Sequence, residues 1–265
     1  MADIAVIDYG MGNLRSVQQA LRTAAPNASI VVTDDPHQVA QAQRVVFPGQ
    51  GAMRDCMREL DARQLRGAVM EAARTKPFLG ICIGLQMLFE HSDEGDIPGL
   101  GILPGKVVRF AHDLRDDQGH KLKVPHMGWN QVHQGGIPPL PAGVESTAPP
   151  PGDSKLPFSF VLSPASGREL ERGALCGRGL GRGSAPVHPL WQGIEQDARF
   201  YFVHSYYVQP QPQSYATLTQ ATSAYPQPFV CAVASKNIFA VQFHPEKSQH
   251  DGLTLLKNFA NWNPL

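Results

Sequence analysis

Residues 76–90, KPFLGICIGLQMLFE, constrain what this chain can fold into more than any other stretch. A short apolar run, 77–81, passes through Gly80-Ile81-Cys82-Ile83-Gly84 into a second apolar, helix-forming run at 85–90. A buried strand, a small-x-nucleophile-x-small turn and a helix, in that order, form a nucleophile elbow whose turn is too tight for side chains at the small positions. Cys82 would then stand at a helix N-terminus, where free N–H groups and the helix dipole favour thiolate over thiol. The same five residues also suit a structural cysteine buried beside packing glycines, since free cysteine is among the most buried residue types. The pentapeptide alone leaves both readings open.

The surrounding pattern places the elbow in a sheet. Residues 4–7 read as a strand, followed by the turn Asp8-Tyr9-Gly10-Met11-Gly12 and a helical repeat of Leu14, Val17 and Leu21. Residues 29–33 read as a second strand, 36–41 as a short helix, and 44–47 as a third strand ending at Pro48-Gly49-Gln50-Gly51. Met53, Met57, Leu60, Leu65 and Val69 predict one helix over 53–73. Alternating strands and helices imply βαβ units and a parallel sheet, with functional loops at the carboxyl ends of the strands. Cys82 and the Gly49–Gly51 turn then share one rim. Further on, 106–110, 124–132, 199–208 and 215–222 read as strands, 230–234 and 238–243 as a hairpin across Ser235-Lys236-Asn237, and 252–262 as a closing helix.

Residues 134–184 differ in kind. Of these 51 residues 8 are proline and 10 glycine, a share above the roughly 25–30% at which such compositions lack a core. This Pro/Gly-rich stretch, extending to about 187, is expected to be a disordered surface insertion in which Cys176 is incidental. Elsewhere, composition mainly excludes. Lys plus Arg and Asp plus Glu are equal at 23 each, so no basic footprint points to nucleic acid or an anionic membrane. No apolar run reaches spanning length, and the acidic third residue argues against a signal peptide. Four scattered cysteines without a CxxC pair point to a reduced, cytoplasmic protein, and no His/Cys pair has metal-ligand spacing.

A cysteine nucleophile needs a base, and the base an orienting group. His244 follows the apolar run 238–243 within Gln242-Phe243-His244-Pro245-Glu246. Pro245 stops the strand, and Glu246, two residues on, can reach the same side as His244 and bind the ring nitrogen remote from Cys82. Acyl transfer also needs donors aimed at the developing oxyanion. The backbone of the Gly49–Gly51 turn and of Ile83 can supply them. Taken singly, His-Pro-Glu also reads as a solvated turn, and Gly-Gln-Gly as an ordinary strand-to-helix connection.

In this order these features resemble the class-I (triad) glutamine amidotransferases, and within them the glutaminase subunits of imidazole glycerol phosphate synthase. The matching stretches are AVIDYGMGNLRSV (5–17), FPGQGA (47–52), FLGICIGLQMLFE (78–90), VPHMGWNQV (124–132), RFYFVHSYYV (199–208) and AVQFHPEKS (240–248). The resemblance implies an α/β, flavodoxin-like three-layer sandwich with a central, mostly parallel sheet. It implies one amidotransferase domain over 1–265, interrupted at about 134–187 between HMGWNQV and HPLWQGI. It further implies that Cys82 attacks the glutamine side-chain amide, His244 moves the proton and Glu246 orients His244. Gly51 and Ile83 would form the oxyanion site, and Gly49, Gln86, Glu94, Ser205 and Tyr206 would hold the substrate. His204 would be a satisfied strand histidine. No cofactor or metal is implied. The implied partner is a separate (βα)₈-barrel cyclase facing Met127 and Trp129, with Trp129 as a buried core residue the competing reading. In that heterodimer, ammonia would pass through the barrel to give imidazole glycerol phosphate and aminoimidazole carboxamide ribotide in histidine biosynthesis. The same residues leave open a binding subunit of this fold without turnover, and, less in keeping with the glutamine-site residues, a cysteine peptidase.

Overall fold

The computed structural model describes residues 2–116, 118–135 and 188–264; the insertion expected at 134–187 lies, from residue 136 on, outside the described residues. The chain begins with β1 (Ile4–Ile7), α1 (Leu14–Ala24), β2 (Ile30–Thr33), α2 (Pro36–Gln41) and β3 (Arg44–Gly49). Helix α1 starts where Asn13 Oδ1 accepts the Ser16 N–H at 3.4 Å, and it buries Val17, Ala20 and Leu21 on the sheet. Helix α2 has Asp35 as its N-cap, 2.8 Å from the His37 N–H, with Pro36 in the first turn.

The next segment departs from the single helix predicted over 53–73. It forms α3 (Met53–Ala62) and α4 (Arg66–Thr75), broken at Gln64, whose φ of 58° is left-handed. The Leu65 N–H reaches back to the Leu60 carbonyl at 3.0 Å, a helix-ending bond that turns Leu65 fully into the core.

Then come β4 (Phe78–Cys82), α5 (Ile83–Gln86), β5 (Phe89–Ser92), β6 (Ile97–Pro98) and β7 (Leu103–Arg109). The helix expected over 85–90 is thus only one turn, and the chain re-enters the sheet at Phe89. Met87, Leu88 and Phe89 are all fully buried, and a run buried on every side carries no period to separate helix from strand. β8 (His126–Gln131) and β9 (His133–Gln134) follow; Gln134, which composition assigned to the insertion, pairs with Ala221.

Beyond the insertion lie β10 (Arg199–His204), β11 (Tyr206–Pro210), α6 (Pro212–Leu218), β12 (Thr219–Tyr225), β13 (Gln227–Ser235), β14 (Ile238–Val241) and α7 (Gln249–Asn261). The strand expected over 215–222 is half helix, because Pro212 starts a turn that buries Tyr215 and Leu218 at i,i+3 spacing. The strand expected over 199–208 breaks at Ser205, sending β10 and β11 into different sheets.

The main sheet runs β2-β1-β3-β4-β14-β13-β11-β7-β5-β6. From β2 to β14 every neighbour is parallel, and of the helices α1 packs with α7 and α2 with α4. β8 and β10 form a separate two-stranded ribbon. Three parallel neighbours, β3, β4 and β14, end side by side, with Gly49 opposite Cys82 and Ile81 opposite Val241. That shared rim holds the site.

Candidate active site

Cys82 closes β4 with φ 56° and ψ −110°, a conformation that costs energy for any residue with a side chain. It is held there by the glycines on either side. A Cβ on Gly84 would lie 1.8 Å from the Phe47 carbonyl oxygen, and one on Gly80 would lie 3.0 Å from both Ala240 Cβ and the Gly84 oxygen. Strand, turn and helix therefore close up only without side chains at 80 and 84, the geometry expected of an elbow. With α5 a single turn, little helix dipole reaches the sulfur. Its polar neighbour is Gln242, whose Nε2 donates to Sγ at 3.7 Å.

His244 follows β14 and is buried. Its backbone N–H donates to the Tyr201 carbonyl at 2.9 Å, and the Ser248 hydroxyl donates to its own carbonyl at 2.6 Å. The ring Nδ1 meets Glu246 Oε1 at 2.8 Å, both side chains being buried. Nε2 has no hydrogen-bond partner in this geometry and is the nitrogen left for Cys82. Burial alone would lower the ring's proton affinity; the charge and hydrogen-bonding capacity of the Cys82 sulfur, together with Glu246, outweigh it and raise the pKa to about 10.

A histidine raised above its unfolded value of about 6.5 stabilises the fold fully below that pH, and the contribution is lost as pH rises through the folded value. The wild-type melting temperature is therefore expected to fall more steeply between pH 7 and pH 10 than that of His244→Asn. Calorimetry across that window checks this, and parallel curves would count against the charge pair.

Beside the sulfur lies a cavity of about 230 Å³, lined by Gly51, Cys82, Ile83, Gln86, Glu94, Ser205 and Tyr206 together with Gln50, Pro125, Val203 and His204. This is smaller than the roughly 300–1,000 Å³ of sites for drug-sized ligands and suits a small polar molecule. Six of the residues assigned to substrate or oxyanion contacts from the sequence line it together with Cys82. Gly49 does not. A Cβ there would lie 2.3 Å from the Tyr9 hydroxyl and 2.9 Å from Ile83 Cβ, so its smallness serves the packing of β3 under the elbow. Gly51 has φ 105° and faces Met11, whose Cε lies 2.8 Å from where its Cβ would be. The Asp8–Asn13 motif thus braces the turn beside the cysteine.

Gln86 is almost fully buried. Its Nε2 donates to Gln242 Oε1 at 2.9 Å and to the Tyr206 carbonyl at 3.1 Å, leaving its buried Oε1 without a partner. Glu94 accepts the Met53 N–H at 2.8 Å, and burial raises its pKa. The sequence pattern did not single out Gln242, although it precedes His244 by the same two-residue spacing that marks Glu246. Among the described residues no three His, Cys, Asp or Glu side chains cluster as metal ligands would.

Met127 and Trp129 lie outside the cavity. They are 62% and 42% exposed on one face of β8, opposite Val203 and Tyr201 of β10. Trp129 meets the Tyr201 ring edge-on, with centroids 6.2 Å apart, so it is not the core tryptophan of the competing reading.

Comparison with known proteins gives one picture. The family model for glutamine amidotransferase class-I matches residues 5–139 and 166–262. Proteins named imidazole glycerol phosphate synthase subunit HisH are similar along nearly the whole chain. That of Thiobacillus denitrificans is 56% identical over 263 residues, covering 99% of this chain and 92% of the relative. That of Nitrosospira multiformis is 52% identical, covering 100% of both, and that of Dechloromonas aromatica 50%, covering 98% and 97%. Among solved structures, a protein described as a glutamine amidotransferase superposes with TM-score 0.59 at 12% identity over 98% of this chain and 100% of its own. PurLQS from Thermotoga maritima gives 0.56 at 15%, over 98% and 99%. At such identities these two speak for the fold alone.

Proposed function

The chain belongs to the class-I glutamine amidotransferases, and from that premise we propose that it is the glutamine-hydrolysing subunit of an imidazole glycerol phosphate synthase, with Cys82, His244 and Glu246 as its catalytic triad. The observation that carries the assignment is the buried line from Glu246 through the His244 ring toward the strained Cys82, beside a small cavity.

In this reading glutamine enters with its side-chain amide over Cys82. The sulfur attacks the amide carbon, and the oxyanion forms against the backbone N–H groups of Gly51 and Ile83. His244 gives its proton to the departing nitrogen, so ammonia leaves and a γ-glutamyl thioester remains. Water then attacks the thioester, His244 takes its proton, and glutamate is released with the thiolate restored. Glu246 holds the ring in the tautomer and orientation both steps need. Gln86 Oε1, buried and unpartnered, is an acceptor for the substrate's ammonium group, and Glu94 adds negative charge on the same wall. Ser205 and Tyr206 contribute backbone contacts to the substrate.

Ammonia is protonated quickly in water, so the opposite wall belongs to a partner that receives it. The HisH relatives are named as subunits of a synthase, and we assign the other subunit, a (βα)₈-barrel cyclase, to the ribbon face of Met127 and Trp129. An exposed tryptophan and methionine on a face bordering the cavity suit the centre of such an interface. The free, buried thiols of Cys56, Cys82 and Cys231 fit a reducing cytoplasm. No helix among the described residues is long and apolar enough to cross a membrane.

The test is copurification with the cyclase subunit, followed by glutamate release measured with and without it. Fast hydrolysis by the chain alone would contradict a partner-dependent site, and no hydrolysis with the partner would contradict turnover. Trp129→Ala is expected to weaken the complex by roughly 30-fold, the scale of an aromatic anchor, while leaving the melting temperature of the free chain within about 2 °C. Titration calorimetry checks it; an unchanged affinity would move the interface elsewhere.

A further inference from the structure

A line of buried hydrogen bonds leads from the ribbon to the sulfur. Asn130 Nδ2 lies 3.2 Å from His126 Nε2, and His126 Nδ1 lies 3.0 Å from His204 Nε2. His204 Nδ1 meets the Tyr206 carbonyl at 2.8 Å. That carbonyl also receives Gln86 Nε2, which bonds Gln242 Oε1, and Gln242 Nε2 donates to Cys82 Sγ.

The direction of every bond is fixed from both ends. A carbonyl only accepts, so His204 must carry its proton on Nδ1 and accept at Nε2. His126 must then donate from Nδ1 and accept at Nε2, where the Asn130 amide supplies the proton. The Asn130 amide cannot flip, because its Oδ1 accepts the Gln131 N–H at 2.9 Å and its Nδ2 also donates to the Ala224 carbonyl at 2.8 Å. Both rings sit among aromatic groups: His126 stacks on Tyr225 and Phe202, with centroids 4.2 and 5.1 Å away, and His204 packs on Phe110 and Phe229, each 5.2 Å away. Burial lowers their pKa values, to about 4 for His126 and about 3 for His204, so both rings are neutral at pH 7.

We propose that His126 and His204 are positioning residues for the glutamine site: their relay pins the bend at Ser205, from which the Tyr206 carbonyl, with Gln242, holds the Gln86 amide on the cavity wall. The carbonyl is the junction. Pairing of Tyr206 and Tyr207 with Arg109 and Val108 of β7 sets its peptide plane, and the His204 bond, reaching only two residues along the chain, pins the bend at Ser205 that brings this carbonyl to the Gln86 amide. The relay begins on Asn130 and His126, in the same strand as Met127 and Trp129, so it also joins the docking face to the substrate wall. The inference rests on the glutamine-hydrolysing reading.

The test uses the full chain with its cyclase partner. His126→Phe keeps a ring in the aromatic stack and removes both nitrogens; His126→Gln keeps a donor and an acceptor. His126→Phe is expected to raise KM for glutamine about tenfold, the worth of one neutral hydrogen bond, while kcat changes less than threefold. His126→Gln is expected to return KM to within threefold of wild type. An unchanged KM in folded His126→Phe, or equal defects in the two variants, would overturn the proposal. Should His126→Phe not fold, long-range ¹⁵N–¹H spectra of the wild-type chain decide: both histidines are expected as Nδ1–H tautomers at pH 7, and Nε2–H at His204 overturns the relay. Wild-type chain without glutaminase activity would instead count against the function, leaving the tautomers as a separate readout.

Discussion

Cys82→Ser is expected to lower glutamine hydrolysis by roughly 10⁴-fold or more, the scale seen when a triad enzyme loses its nucleophile. The substitution changes one atom and little volume, and the elbow glycines, the Gln242 donor and the His244–Glu246 pair all remain. What is lost is the sulfur beside the imidazole; a serine hydroxyl is a far weaker nucleophile in the same place. The chain should stay folded but melt somewhat lower at pH 7, because the sulfur that favours the protonated His244 ring is gone. Single-turnover glutamate release in the partner complex measures the effect. Turnover within 100-fold of wild type would assign the nucleophile elsewhere.

Gly84→Ala should instead unsettle the fold. The added methyl would sit 1.8 Å from the Phe47 carbonyl oxygen and 2.9 Å from its carbon. Both atoms belong to the backbone of β3, which is bonded to β4 along its length, so neither can move aside without parting the central strands. Overpacking of this kind costs about 3 kcal/mol or more, and for a chain of this size that corresponds to a fall of roughly 6–12 °C in melting temperature. Gly67→Ala is the control: it lies inside α4 with nothing within 4 Å of its added Cβ, and replacing a helical glycine by alanine stabilises by about 0.5–1 kcal/mol. Thermal denaturation of the two variants side by side checks both signs. A Gly84→Ala chain as stable as wild type would mean that β3 and the elbow do not meet as closely as they do here.

The two elbow glycines show why this turn is legible in the amino-acid sequence. A glycine two residues either side of a cysteine, between a strand-like and an apolar run, has few physical uses, and the contacts at Gly80 and Gly84 are of the kind that pattern demands. The His244–Glu246 pair is legible for a similar reason: an i,i+2 spacing at a strand end is a local geometry. Gly49 is ambiguous in sequence, since a glycine at a rim can serve ligand approach or backbone approach, and the position of the Tyr9 hydroxyl shows the second use. Gln242 and His126 escape notice because their partners lie 160 and 78 residues away in sequence, and no local pattern marks a side chain whose importance is its distant neighbour.

Short-range pattern was enough for the parallel alternation, the tight turn at Cys82, the strand-end imidazole with its carboxylate, and the family that shares them. It was not enough for three turns of the chain: the return to the sheet at Phe89, the break of 53–73 at Gln64, and the split of 199–208 at Ser205 that opens the cavity. In each case the deciding energy is burial against residues remote in the chain, which outweighs weak local preference. The same non-local packing brings the ends of β3, β4 and β14 together, and with them a sulfur, an imidazole and a cavity that no single stretch contains.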